Sequence, residues 1–392
     1  YVGHIAGAGD AALAGVGVCA PVVTMITALG ALIGFGGGPL MSIRMGRRDM
    51  DGARQIVANS FYLLLALSVM ATVPLLVFRR QILFTFGCSE ALWEYAEAYF
   101  TTYVSGTVFA VMSYGLNQIT MSQGFASMAM RSVMLGAAVN IALDPVFIFA
   151  LHMGVRGAAC ATLIARCIEL IIVIWFLKYR ENVLNLNLRK LLHIDTSYVH
   201  DYMKVSLPVL INQALWGVAQ MVQTGILGHL GGDVTAANAI SVQVYQVLSV
   251  VCYGAASAAG IVVGRTIGED NEKKLHPLVT TLQVLFISIG LCSGLAIFLL
   301  RGPILAAFGG TLTENAYRLS RQFMLVLAIT TVGTSYQMAC DNGIIRGGGN
   351  ALFVVKMDLI SIWCIVLPLS FLGLIAAAAG LEQAAGFLLH LA

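Results

Sequence analysis

The sequence predicts an all-α, polytopic membrane protein built from two similar halves. Three observations carry this. Apolar runs of about 20 residues or more, long enough to cross a bilayer as helices, recur along the whole chain. Only 10% of the 392 residues are charged and 59% are hydrophobic, against about a quarter charged in soluble domains. Finally, a set of sequence landmarks returns in the second half at a nearly constant offset. The alternating ten-residue segments of a membrane β-barrel do not occur.

Residues 1–10 read as a Gly-rich loop, followed by spans at about 11–43, 55–78, 95–123, 128–151 and 156–177. Lys178 to Lys204 is the long hydrophilic stretch that divides the chain. Spans at about 205–230, 235–264, 277–300, 317–345 and 351–375 follow, and the Ala-rich tail from Ala376 reads as a partial last helix. This gives an N-terminal lobe over 1–178, a linker over 179–203 and a C-terminal lobe over 204–392. The eight cysteines are scattered, mostly within apolar helices, without CxxC or metal spacing. They read as packing residues rather than disulfides.

The landmarks define the repeat. Val2-Gly3-His4 matches Leu227-Gly228-His229, and Asn117 before Gln123-Gly124 matches Asn342 before Gly347-Gly348, both at an offset of 225. Between them, Arg79-x-x-Ile82-Leu83-x-x-Phe86-Gly87 matches Arg301-x-x-Ile304-Leu305-x-x-Phe308-Gly309. His4 and His229 therefore read as equivalent turn residues rather than ligands. The expectation is two pseudo-symmetric six-helix bundles, with the first helix missing before Tyr1 and the last incomplete. An even number of spans per half makes the repeats parallel, related by an axis along the membrane normal.

Charge distribution sets the orientation. Loops after alternate spans hold fifteen Lys and Arg, whereas those on the other side hold Arg79, Arg80, Arg156, Arg301, Arg318 and Arg321. The linker is thus expected on the cytoplasmic side of the membrane.

The stretch Ala137 to Pro145 carries the chemistry. Asn140 and Asp144 are four residues apart inside an apolar helix and so share one face. Pro145 has no N–H to donate and weakens the helix beside the acid, so it is expected to bend it. An acid at membrane depth usually faces a bundle interior and marks an ion pathway; the competing reading is a structural carboxylate near a helix end.

Polar stripes at helical spacing recur in the second half: Gln213, Trp216, Gln220 and Gln223; Gln243, Gln246, Ser249, Tyr253 and Ser257; Thr330, Thr334, Gln337 and Asp341. They point to a water-accessible cavity between the halves, although interhelical hydrogen bonding uses the same residues. Asn117 is grouped with the cavity residues Gln213, Gln220, Gln223, Gln246, Tyr253, Gln337 and Asp341. Arg166 either pairs with Glu169, three residues on, or serves as counter-ion to Asp144. Lys356 and Asp358 read as interfacial. Gly347-Gly348-Gly349 lacks the Lys-Ser/Thr of a phosphate loop.

Asn140-x-x-x-Asp144-Pro145 followed by Gly154-Val155-x-Gly157-Ala158-Ala159-x-Ala161-Thr162 resembles the signature of the multidrug and toxic compound extrusion (MATE) transporters. Val2-Gly3-His4 with Ala11-Ala12-Leu13-Ala14, Gly36-Gly37-Gly38-Pro39 and Gly343-Ile344-Ile345-Arg346-Gly347-Gly348-Gly349 fit a bacterial branch, and the likeness extends to about Leu372.

The resemblance implies a twelve-helix, two-lobe exporter that alternates between outward- and inward-facing states. It would expel organic, cationic or amphipathic small molecules against a proton or sodium gradient. By position, Asp144 would be the ion-coupled acid, with Asn140 and Thr162 beside it. The family's other N-lobe acid belongs to a helix before Tyr1. The glutamines of 205–230 argue against coupling through a C-lobe acid there, and the role of Asp341 stays open.

A flippase of lipids or lipid-linked oligosaccharides, from the same superfamily, is the alternative; it would want several basic cavity residues, and only Arg166 lies inside a span. An integral-membrane enzyme would show Asp-rich or His/Glu metal clusters on facing helices, and none is visible. The expected partners are small-molecule substrates and the bilayer, with no nucleic acid, no metal and no cofactor beyond the coupling ion, and a monomer as the working unit.

Overall fold

The structure, a computed structural model, describes residues 1, 2, 5, 9–179, 196–229, 232–308 and 313–378. Gly3, His4, Gly309, most of the expected linker and the tail beyond residue 378 lie outside the described residues. No strand occurs among the described residues, and nine stretches there are long and apolar enough to cross a membrane. Contacts divide the chain into two compact units, Tyr1–Ser206 and Leu207–Ala392.

The first unit begins with α1 (Gly9–Gly46) and α2 (Met50–Val77), joined by a tight turn. Asp49 ends that turn as the α2 cap: its Oδ1 accepts from the Gly52 N–H at 2.9 Å, and its Oδ2 pairs with Arg44 at 2.8 Å. Short α3 (Arg79–Thr85) leads to α4 (Glu90–Ser105) and α5 (Thr107–Ser122). The sequence suggested one continuous span at 95–123, and here the structure differs. Gly106, at φ −102° and ψ 17°, leaves the helical region and splits the stretch into two 16-residue helices. Its bare Cα also lets Leu163 of a neighbouring helix close in.

Next come α6 (Ala126–Pro145), a single wide π-helical turn (Val146–Ala150) and α7 (Gly154–Tyr179). Helix α1 packs on α2, α4 and α5, and the core between them is filled by Ile26, Ile33, Met41, Leu64, Phe100, Leu116 and Ile119. Helix α8 (Thr196–His229) starts within residues that the hydrophilic composition placed in the linker. Its first turns belong to this unit. The hydroxyl of fully buried Tyr202 donates to the Ile33 carbonyl and lies 2.9 Å from Ser60 Oγ. Gly37 on α1 leaves the room for that ring, which accounts for part of the Gly36-Gly37-Gly38 run.

The second unit contains the rest of α8, then α9 (Gly232–Gly268), α10 (Glu272–Phe308) and α11 (Glu314–Ala339). Helix α11 widens into a π-helical segment at Cys340–Ile345. After the Arg346–Asn350 turn, α12 (Ala351–Leu359), a third π segment (Ile360–Val366) and α13 (Leu367–Ala378) form one apolar stretch. Ile240, Ile297, Leu305, Met324 and Ala328 make one core cluster, and Ala256, Ala259, Phe286 and Ala339 a second. All eight cysteines are free thiols.

Candidate functional site

Helices α6 and α7 are antiparallel neighbours joined by the π turn and a short loop. On α6, Gly136, Asn140 and Asp144 recur every four residues and so line one face. On α7, Ala158, Thr162 and Arg166 recur every four residues and Glu169 follows three on, again on one face. The two faces meet as a polar seam inside an otherwise apolar pair of helices.

At its Asp144 end, the Asn140 amide Nδ2 lies 3.5 Å from Asp144 Oδ1 and 3.4 Å from Thr162 Oγ1. Thr162 in turn donates to the Ala158 carbonyl at 2.9 Å. The three residues expected to act together are thus brought together, and each is half-buried. Directly after Asp144 the helix passes Pro145 and widens into the π turn. A missing N–H at residue 145 removes one rung of the helical ladder there, and π turns inside helices are frequent at functional sites.

The other end of the seam holds a closed ion pair. Arg166 NH1 bonds Glu169 Oε2 at 2.8 Å. Glu169 is only 5% exposed. It sits over Gly136, where a Cβ would come within 2.6 Å of Glu169 Cγ, and the Ser113 hydroxyl of α5 faces its carboxylate. Between the two readings of Arg166, the geometry selects the local pair. Among the described residues no Lys or Arg pairs with Asp144.

Two side chains of this site were missed in the sequence. Tyr99 of α4 bonds Thr162 and lies near Asp144, and it stacks on Tyr103 at 5.9 Å between ring centroids. Tyr103 in turn lies near Arg166. The signal was the spacing Tyr95, Tyr99, Tyr103 on one face of α4.

Asn117, grouped with the cavity residues, is placed elsewhere. Its amide donates to Ala129 O at 3.1 Å and Ser132 Oγ at 2.8 Å, so it ties α5 to α6 and is only 9% exposed. In the second unit Gln213, Gln220, Gln246, Tyr253 and Gln337 are exposed. Gln223 lines a cavity of about 160 Å³ with Asn238, Ser241, Thr330 and Ser370, all neutral hydrogen-bonding groups.

Asp341 lies in the π segment after α11, bonded by Gln337 and within the field of Arg346 and Asp358. Asp358 is not an interfacial charge. It accepts from Asn212 Nδ2 at 2.6 Å and faces Arg346 at 3.8 Å, while Arg346 NH1 donates to Asn342 Oδ1 at 2.7 Å.

Outside the spans, two carboxylates are held below their ordinary range. For Asp49 the main cause is the Gly52 N–H, with the Arg44 guanidinium adding to it. For Asp233 it is the Thr313 hydroxyl, donating at 2.7 Å, and then the Asn315 amide at 3.0 Å.

A family model described as MatE matches residues 1–146 and 208–372. The chain is 26% identical over 234 residues to the multidrug export protein MepA of Staphylococcus haemolyticus (strain JCSC1435), a match covering 60% of this chain and 52% of that protein. The chain thus spans about half the length of this relative. It is 25% identical over 386 residues to the uncharacterized transporter YisQ of Bacillus subtilis (strain 168), covering 93% and 80% of the two. Among solved structures, a MATE crystal structure in the bent conformation superposes with a TM-score of 0.86 at 25% identity, over 98% of this chain and 87% of that one. The outward-facing conformation of a multidrug resistance MATE family transporter gives 0.88 at 24% identity, over 100% and 86%, a likeness of fold. With one family model matching most of both halves of a chain rich in membrane-spanning helices, the protein belongs to the MatE family of multidrug and toxic compound extrusion transporters.

Proposed function

We propose that this chain is the core of an antiporter that exports organic, cationic or amphipathic compounds by alternating access, driven by protons or sodium ions entering through the first unit. The observation that carries this reading is Asp144, a membrane-embedded carboxylate without a Lys or Arg partner among the described residues, beside Asn140, Thr162 and a π turn. An ionised carboxylate in apolar surroundings is costly, and binding a proton or a small cation relieves that cost. For sodium, the Asn140 amide turned about its Cβ–Cγ bond offers its oxygen together with Thr162 Oγ1 and the carboxylate, an all-oxygen donor set.

The mechanism follows from charge. With Asp144 ionised, the seam stays hydrated and attracts an organic cation. When the ion binds, that attraction ends, and α6, already lacking one rung at Pro145, bends and releases the substrate. Loss of the ion to the cytoplasm restores the starting state. The exposed amides Gln213, Gln220, Gln246 and Gln337, with Tyr253, offer neutral hydrogen bonds suited to varied substrates. The relative MepA is named a multidrug export protein, which favours such breadth.

The test is efflux of a fluorescent organic cation from cells expressing the full-length gene, parent against Asp144→Asn, with a protonophore and separately without sodium. Efflux that disappears in the variant supports the reading, and the condition that abolishes parental efflux names the ion. Unchanged efflux in Asp144→Asn overturns it.

A further inference from the structure

The polar seam of α6 and α7 contains two carboxylates and one guanidinium, and the guanidinium is committed to the carboxylate that the transport cycle above does not use. We propose that Glu169 is a positioning residue: it holds Arg166 away from Asp144 and so leaves the Asp144 carboxylate open to the coupling ion. The inference rests on the ion-coupling role of Asp144 put forward above.

The geometry supplies each step. Arg166 lies one turn along α7 from Thr162, about 6 Å of helix rise at 1.5 Å per residue. Thr162 is itself bridged to Asp144 through Asn140. Arginine has a long, flexible stem, and a cation inside a membrane pairs with whatever acid it reaches. Asp144 is therefore within its range across the seam, yet Arg166 is bonded at 2.8 Å to Glu169.

What holds the pair there is built from three helices. Gly136 of α6 leaves the pocket that the Glu169 side chain fills, and Ser113 of α5 faces the carboxylate. Arg166 itself comes from α7, beside Tyr103 of α4. Gly136, Asn140 and Asp144 share one face of α6, so the seat of Glu169 and the proposed ion site are two ends of one surface. If Arg166 turned towards Asp144, its fixed charge would occupy the place of the entering ion, and the site would be neutral before any ion arrived. The ionisable groups around Asp144 are Tyr99 of α4, with Cys19 of α1 beside that tyrosine, then Tyr103, Arg166 and Glu169 further along the seam.

The experiment measures efflux against external pH, or against sodium if sodium is the driving ion, in cells expressing the full-length protein. Rates are normalised to the folded protein recovered by size-exclusion chromatography. The variants are Glu169→Gln, Arg166→Gln, the double variant Glu169→Gln/Arg166→Gln, and Asp144→Asn. In Glu169→Gln the released guanidinium turns to Asp144 and competes with the coupling ion for its carboxylate. The half-saturating concentration of the driving ion should therefore rise about tenfold. Arg166→Gln should leave the normalised profile at the parental position, and the double variant should return to it.

A purely structural pair would instead make the two single variants alike in profile and different only in folded yield. If Glu169→Gln does not fold, Gly136→Ala displaces the carboxylate by crowding it and should shift the profile in the same direction. A parental profile in the folded Glu169→Gln or Gly136→Ala protein, with efflux lost in Asp144→Asn, overturns this inference alone. Efflux that survives Asp144→Asn overturns the ion-coupling reading beneath it.

Discussion

Gly124 and Gly349 stand 225 residues apart and do the same thing: both hold left-handed backbone, at φ 99° and φ 88°, in the turn that enters the next helix. Each follows its repeat asparagine, Asn117 or Asn342, by seven residues. The asparagines have diverged, since Asn117 joins α5 to α6 while Asn342 accepts from Arg346 within its own turn. The turns have kept the conformation that glycine alone adopts freely. The internal duplication is thus written more firmly in the backbone than in the polar side chains.

Replacing either glycine by alanine puts a Cβ into that conformation at a cost of about 1 kcal/mol. Gly124→Ala and Gly349→Ala should each lower the melting temperature of the purified protein, and the effects should add if the two turns are independent. Gly17, which has open space around it, is the control: Gly17→Ala should not lower the melting temperature.

The α1–α2 turn gives a pH-dependent contribution with a definite sign. Asp49 is held below its ordinary range by the Gly52 N–H and Arg44, so its contribution is complete above the unfolded carboxylate range. It fades as pH falls through the lower, folded value. Asp49→Ala removes an N-cap and should cost about 1 kcal/mol near neutral pH. The gap in melting temperature between parent and Asp49→Ala should narrow as the buffer is taken below about pH 4. A gap that widens on acidification would mean that the cap acts through the neutral acid.

What could be read in the sequence was what depends on neighbours along the chain. Helical periodicity put Asn140 and Asp144 on one face, and the proline marked where α6 would change its winding. The Arg166–Glu169 pair was one of two readings because its spacing permits it, and only the position of Gly136 and Ser113 decides for it. Contacts across long separations were invisible. Asp358 reads as an interfacial charge, whereas the structure places it against Asn212 and Arg346; the tyrosine spacing on α4 marks a face, but only the α4–α7 packing says that Tyr99 meets Thr162. Gly106 was passed over because the hydropathy on both sides is continuous, whereas the helix breaks for a backbone reason.

The Arg346 cluster predicts a non-additive pair. Arg346 is 9% exposed, with Asp358 on one side and Asn342 on the other. Breaking a buried ion pair by removing one partner costs about 3 kcal/mol or more, because the other charge is left alone. Arg346→Met strands Asp358 beside Asp341, and Asp358→Ala strands Arg346. Each single variant should reduce folded yield, whereas Arg346→Met/Asp358→Ala should recover part of it. If the double variant loses the sum of the two, the residues act independently and the ion pair contributes nothing.

The last prediction ranks the residues around Asp144 by what each contact is worth. Both bonds of the Asn140 amide are long, 3.5 Å to Asp144 and 3.4 Å to Thr162, near the outer limit for a useful hydrogen bond. Neutral hydrogen bonds contribute about 0.5–1.5 kcal/mol, with long ones at the low end. Thr162→Val keeps the shape of the side chain and removes one of the two contacts of the Asn140 amide, so ion-driven efflux should weaken about twofold. Asn140→Ala removes both contacts and one oxygen donor, and the loss should approach about tenfold, which corresponds to 1.4 kcal/mol. Asp144→Asn removes the charge itself and should leave no coupled efflux. The measurement is the initial efflux rate against the concentration of the driving ion, normalised to folded protein. A Thr162→Val effect as large as that of Asp144→Asn would make the hydroxyl a principal ligand of the ion rather than a support for the amide.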